Sequence, residues 1–231
     1  MLDHGFEGLL DGDKYEDLKR MYGIYGRVSA HKALCAAFKS YLKTVGGEIV
    51  GDVNKDDEMI SCIISLKERM NKAVVECFDN NIIFMDALRD AFSHFINQRS
   101  NRPAELLAKY IDSILKSGGK TSGSNAKGHG AEEEVEAALD SCLAVFRFIQ
   151  GKDAFEAFYK KYLAKRLLFN RTSSIDSENS AISKLKAECG PHFTSKLEGM
   201  FKVSYCSPWP FPFGIFESLD RQPRSFFSSG Y

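Results

Sequence analysis

Long apolar runs, net charge and paired cysteines are all missing from this sequence, and each absence excludes a class of function. The longest apolar stretches, such as residues 60 to 66 and 82 to 85, fall far short of the roughly 20 residues that a membrane-spanning helix requires. No targeting segment opens the chain, because Met1 to Leu10 carries Asp3 and Glu7 and no basic stretch leading into an apolar run. Lysine plus arginine equals aspartate plus glutamate at 31 each, so no overall field draws the chain to nucleic acid or to an anionic membrane. Neither is expected as a partner, and the setting implied is cytoplasmic and/or nuclear.

The six cysteines, Cys35, Cys62, Cys77, Cys142, Cys189 and Cys206, include no Cys-x-x-Cys pair. Several sit among apolar residues of predicted helices, where a free cysteine behaves as a small hydrophobe. Cys189 and His192 have a ligand-like spacing. A closed zinc site needs four ligands and no second pair lies nearby, so no metal is expected.

What is present is helical periodicity. At 231 residues, 44% apolar and 27% charged, the chain can bury a sizeable core in one or two domains. A glycine-containing entry, Gly5 to Gly12, precedes a first helix from about Asp13, with Leu18, Met21, Tyr22 and Tyr25 on one face and Gly23 and Gly26 weakening its end. Ser29 reads as the N-cap of a second helix, closed by Gly46-Gly47. A third runs from about Lys55 to Asp79 through Met59, Ile63, Leu66, Met70 and Val74, and a fourth begins near Asn80 with Phe84, Leu88, Phe92 and Phe95. Pro103 fits the first turn of a fifth helix carrying Leu107, Ile111 and Ile114. Ser117 to Gly130 is glycine- and serine-rich and reads as a flexible surface loop. Beyond it, Glu132 to Glu134 and Glu136 form an acidic first turn, which suits a helix N-terminus better than a metal site. Phe148, Phe155, Phe158, Tyr159, Tyr162, Leu163 and Leu167 then share a core-facing stripe, with Lys160, Lys161 and Lys165 outside it. A further helical stretch is broken at Gly190-Pro191. The fold class is all-α, a helical bundle or solenoid.

Chemistry is thin. Gly119-Lys120-Thr121 has a superficial likeness to a phosphate-binding loop, but position 114 is isoleucine and a helix precedes it, so no nucleotide or other cofactor is expected. The five histidines are scattered, and no serine or cysteine lies in a nucleophile turn. His94, between Phe92 and Phe95, reads as a bonded or half-exposed residue, and the carboxylates lie on polar helix faces. Asn170-Arg171-Thr172 matches a glycosylation acceptor that stays idle without a secretory signal. Lys160, Lys161, Lys165, Arg166 and Arg171 make a basic stripe interleaved with aromatics, whose alternative reading is a nucleic-acid surface. Catalytic, cofactor-binding and metal residues are all expected to be absent.

The literal text goes further than the periodicity. FEAFYKKYLAKRLL, followed by KLKAECG and FTSKLEGMFK, resembles the homology region of the cullin family, most closely the cullin-4 class. DLKRMYGIYGRV, ECFDNN and FINQRSNRPAELLAKYID resemble the same family, so the likeness covers about residues 6 to 202, with Tyr162 standing where that class usually has an acidic residue. The resemblance implies a non-catalytic scaffold of a multisubunit ubiquitin ligase acting in ubiquitin-dependent protein degradation, whose partners are an adaptor and a RING protein. It implies the last cullin-repeat helices of a stalk over residues 1 to 99 and part of a four-helix bundle over residues 100 to 202. Relative to that family the chain looks truncated at both ends, with the adaptor and RING contact segments largely absent. A free-standing helical adaptor is the alternative reading.

Residues 203 to 231 read as a poorly ordered, non-family tail. They hold four of the six prolines and eight aromatics with no helical period. Val203-Ser204 can be encoded by the usual start of an intron, which makes translated intron the expected origin, with a different exon or a frameshift as alternatives. No lysine in this stretch can serve as the acceptor of the ubiquitin-like modifier NEDD8.

Overall fold

The computed structural model describes residues 2–118, 129–169 and 171–206, and all regular structure in them is helical. The first half contains α1 (Leu2–Asp11), α2 (Tyr15–Arg27), α3 (His31–Gly51), α4 (Asp56–Cys77) and α5 (Ile82–Ile96), with a short 3-10 turn before α4. The second contains α6 (Arg102–Ser117), α7 (His129–Phe146), α8 (Lys152–Leu168), α9 (Ile175–Cys189) and α10 (Pro191–Cys206). Helix α3 lies along α5, and α1 packs on α2 and α3. Helix α4 belongs to both halves, packing on α2, α3 and α5 on one side and on α6 and α7 on the other. In the second half α6, α7, α9, α10 and α8 contact one another in a closed ring.

The core of the first half is aromatic. Phe78 and Phe84 stack with ring centroids 4.4 Å apart, and Phe38 meets Phe78 edge-on at 5.6 Å. Tyr22 closes on Phe84 from α2 at 5.8 Å. Such arrangements add about 0.5–1.5 kcal/mol per pair beyond burial. In the second half Phe155, Tyr159, Leu163 and Leu167 of α8 are buried at helical spacing, while Phe148, Phe158 and Tyr162 are partly buried, so the predicted stripe is the core-facing one.

Several boundaries differ from the sequence reading. Gly5 to Gly12 is not an irregular entry, because residues up to Asp11 are helical. Phe6 and Leu10, one turn apart, are buried in the core, and Phe6 reaches Phe78 at 6.5 Å. Tertiary burial there outweighs the helix-propensity cost of glycine, about 1 kcal/mol each. Ser29 is not an N-cap: it sits at φ 54, with its N–H donating to Gly26 O at 3.1 Å while Ala30 N–H donates to Tyr25 O at 2.9 Å. That pair of bonds is a Schellman closure of α2. Gly46-Gly47 does not end α3, which continues to Gly51. A Cβ on Gly46 would lie 2.3 Å from Phe95 Cδ1, so this glycine lets α5 approach rather than breaking the helix. The expected loop over 117–130 is shorter at both ends: Ser117 closes α6, Gly118 caps it at φ 62, and α7 has begun at His129. Residues 119–128 lie outside the described residues. So does most of the expected tail, but Val203 to Cys206 continue α10 as helix, against the expectation of irregular chain from residue 203.

Candidate functional site

The two halves meet at a joint between α5 and α6, and charge holds it. Asp56, in the first turn of α4, has a side chain only 12% exposed. It accepts from Arg99 Nη1 at 2.5 Å and from Arg102 Nε and Nη2 at 2.9 and 2.8 Å, so one carboxylate gathers the two arginines that flank the joint. Hydrogen bonds from Arg99 and then Arg102 hold the Asp56 pKa down to about 2. Arg99 also donates to Val50 O near the end of α3 at 3.1 Å. The next residue of α4, Asp57, pairs with Lys109 of α6 at 2.5 Å.

On the other side of the joint, Asn97 caps α5 and reaches the connection between α7 and α8. Its Nδ2 donates to Phe148 O at 2.8 Å, and its Oδ1 accepts from Gln150 N at 3.0 Å. Asn101 turns the chain into α6 at φ 55, and a Cβ on Gly151 would come within 2.9 Å of its Oδ1. A cleft of about 330 Å³ opens here, lined by Arg99, Ser100, Asn101, Gln150 and Gly151 among others. The segments FINQRSNRPAE and FRFIQGKDAFE, about 50 residues apart in sequence, are therefore neighbours in space.

A second ionic feature lies inside the second half. Arg166 of α8 is fully buried and donates from Nε and Nη2 to Glu178 of α9 at 2.5 and 2.9 Å, and from Nη1 to Asp112 of α6 at 2.6 Å. Lys116 completes the charge balance by donating to Asp112 at 2.5 Å. Burial alone pulls the Arg166 pKa down, but the Glu178 hydrogen bonds and the carboxylate charges outweigh it and raise the value. Tyr159 lies beneath the guanidinium, its ring centroid 5.7 Å away, and burial pushes its hydroxyl pKa up.

Arg166 corrects the basic stripe. It is an internal ligand of two carboxylates, Lys160 pairs with Glu156 at 3.2 Å, and Lys161, Lys165 and Arg171 are what remains exposed. Phe155 and Tyr159 are buried; among the described residues of the stripe Phe169 is the exposed ring, with Arg171 over it at 5.4 Å, and one ring does not make a stacking platform. Glu136 is not simply part of an acidic first turn, since Lys184 of α9 pairs with it at 2.7 Å. Tyr162 packs half-buried against the core and leaves α8 unbroken. His94 is exposed, Cys189 is partly buried and His192 is exposed. Among the described residues, no group of three or more His, Cys, Asp or Glu side chains could hold a metal ion. Gly119-Lys120-Thr121 and Asn170 lie outside the described residues. Among the described residues, no helix is long and apolar enough to cross a membrane. Sequence reasoning missed Asp56, Asn97, Asp112 and Glu178; only Pro103 and the text around it marked the joint.

A family model described as the cullin alpha solenoid domain matches residues 1–206. Cullin-4A of Mus musculus is 45% identical over 203 residues, which is 87% of this chain and 26% of that protein. Cullin-4A of Homo sapiens is 44% identical over 203 residues, with the same coverage, and Cullin-4 of Dictyostelium discoideum 43% over 202 residues, 87% of this chain and 24% of that protein. The chain spans about a quarter of the length of the curated relatives it matches.

Proposed function

We propose, from the premise that this chain belongs to the cullin family, that it is a scaffold segment of a cullin-RING E3 ubiquitin ligase complex. In this reading it does no chemistry and acts in ubiquitin-dependent protein catabolism by holding other subunits at a fixed separation. Its partners are ligase subunits, and its setting is cytoplasmic and/or nuclear. The observation that carries the reading is the joint: α4 packs into both halves, and Asp56 and Asn97 tie the α5–α6 turn from opposite sides. A spacer has to resist bending at its junctions, and charge-assisted hydrogen bonds of limited solvent exposure supply that resistance. We place the boundary between stalk-end helices and bundle at this joint, near Arg99.

The test is an exchange. Residues 6 to 202 replace the matching segment of a full-length cullin-4, and ubiquitin-chain synthesis is measured with purified RING protein and conjugating enzyme. The chimera is expected to sustain synthesis. A folded chimera that still binds the RING protein but makes no chains contradicts the scaffold reading. A free-standing adaptor would instead show itself if the native chain captured proteins unrelated to ligases and the chimera failed.

A further inference from the structure

We propose that α9 and α10 form a latch that opens as one unit while α1 to α8 stay folded, held shut by three ion-pair staples along α9. The staples fall in its first turn, its middle and its last turn. Glu178 takes the bidentate grip of Arg166 at 2.5 and 2.9 Å. Lys184 bridges Glu136, at 2.7 Å, and Asp140 on α7. Glu188 receives Arg147, just beyond the end of α7.

Apolar attachment is weaker by comparison. Among described side chains, α9 and α10 place four apolar groups fully in the core, Ala181, Ile182, Leu185 and Leu197, with Cys189, Phe193, Met200 and Phe201 partly buried against it, whereas α6 alone places seven fully in the core. The partly exposed Lys184 and Arg147 pairs behave differently, because water replaces each partner once the seam opens, whereas the fully buried Glu178–Arg166 pair is the staple whose release costs most. Arg166 also donates to Asp112 of α6 at 2.6 Å, a carboxylate partner that does not lie on the latch. The two helices move together because one residue, Gly190, joins them and Lys186 pairs with Glu198 across the turn at 3.0 Å. Local units of this kind open below the free energy of global unfolding.

Native-state hydrogen exchange, read by mass spectrometry on the full chain, decides the matter. Amides of α9 and α10 are expected to exchange together and faster than those of α6 and α8. Lys184→Ala and Arg147→Ala each remove a partly exposed staple without touching the core, and each is expected to speed exchange in α9 and α10 about two- to fivefold, leaving α6 and α8 unchanged. Glu178→Gln is expected to act in the same direction more strongly. Equal exchange across α6 to α10, or acceleration by Lys184→Ala that is uniform over the chain, overturns the proposal even if Glu178→Gln fails to fold.

Discussion

The two halves of this molecule solve the same problem, burying a helical core, with different chemistry. In the first, Phe6, Tyr22, Phe38, Phe78 and Phe84 fill the interior ring against ring. In the second, a fully buried arginine ties α6, α8 and α9 through two carboxylates. Ring packing has preferred tilts but leaves no polar group to satisfy when a helix shifts slightly. A bidentate guanidinium fixes relative position, at a desolvation cost that apolar residues of the same volume would avoid. The difference teaches where the molecule is forgiving and where it is specific.

The sharpest way to break the contrast is Arg166→Ala, which leaves Asp112 and Glu178 buried without their cation. We expect a loss of about 3–5 kcal/mol in urea unfolding, whereas replacing all three residues by apolar ones of similar volume costs far less. Gly46→Ala probes the aromatic half by driving a methyl group into Phe95, and is expected to cost about 1–3 kcal/mol. Asp56→Ala addresses the joint between the halves and should remove about 1.5–3 kcal/mol in the same assay. Because the folded Asp56 pKa lies near 2, below its ordinary 3.8, its contribution is complete above the ordinary value and lost as pH falls toward 2. Thermal melts between pH 5 and 2 should show that loss, with Asp56→Asn removing this part of the pH dependence. The smallest effect belongs to Lys39→Ala, whose partner Asp90 is 63% exposed, and its urea midpoint is expected to match that of the unaltered protein.

Legibility in the sequence follows the same division. The apolar stripes of α3, α4, α5, α6 and α8 could be read from spacing because burial of large side chains repeats every three or four residues. Gly46 and Ser29 depart from the expectation for a common reason: their local preferences, helix stop and helix cap, give way to a partner distant in sequence or to a turn closed by backbone bonds. Arg166 shows the limit most clearly. It follows Lys165 in a cationic run and nothing local separates it from a surface charge, since Asp112 and Glu178 lie 54 and 12 residues away. Asp56 was hidden likewise, one carboxylate among several at the start of α4. Asn97, Arg99 and Arg102 stand in text that resembles the family, but only the folded structure shows which atoms they meet.

The central claim, that the chain is a stiff spacer locked between its halves, can be tested by measuring one distance. Spin labels placed at Lys32→Cys on α3 and Lys161→Cys on α8, with the exposed Cys62 replaced by serine, report the separation of the halves by pulsed electron resonance. The account predicts one narrow distance distribution that broadens when Asp56→Ala and Asn97→Ala are combined. A broad distribution in the unaltered joint, or a narrow one that survives the double replacement in a folded protein, contradicts it.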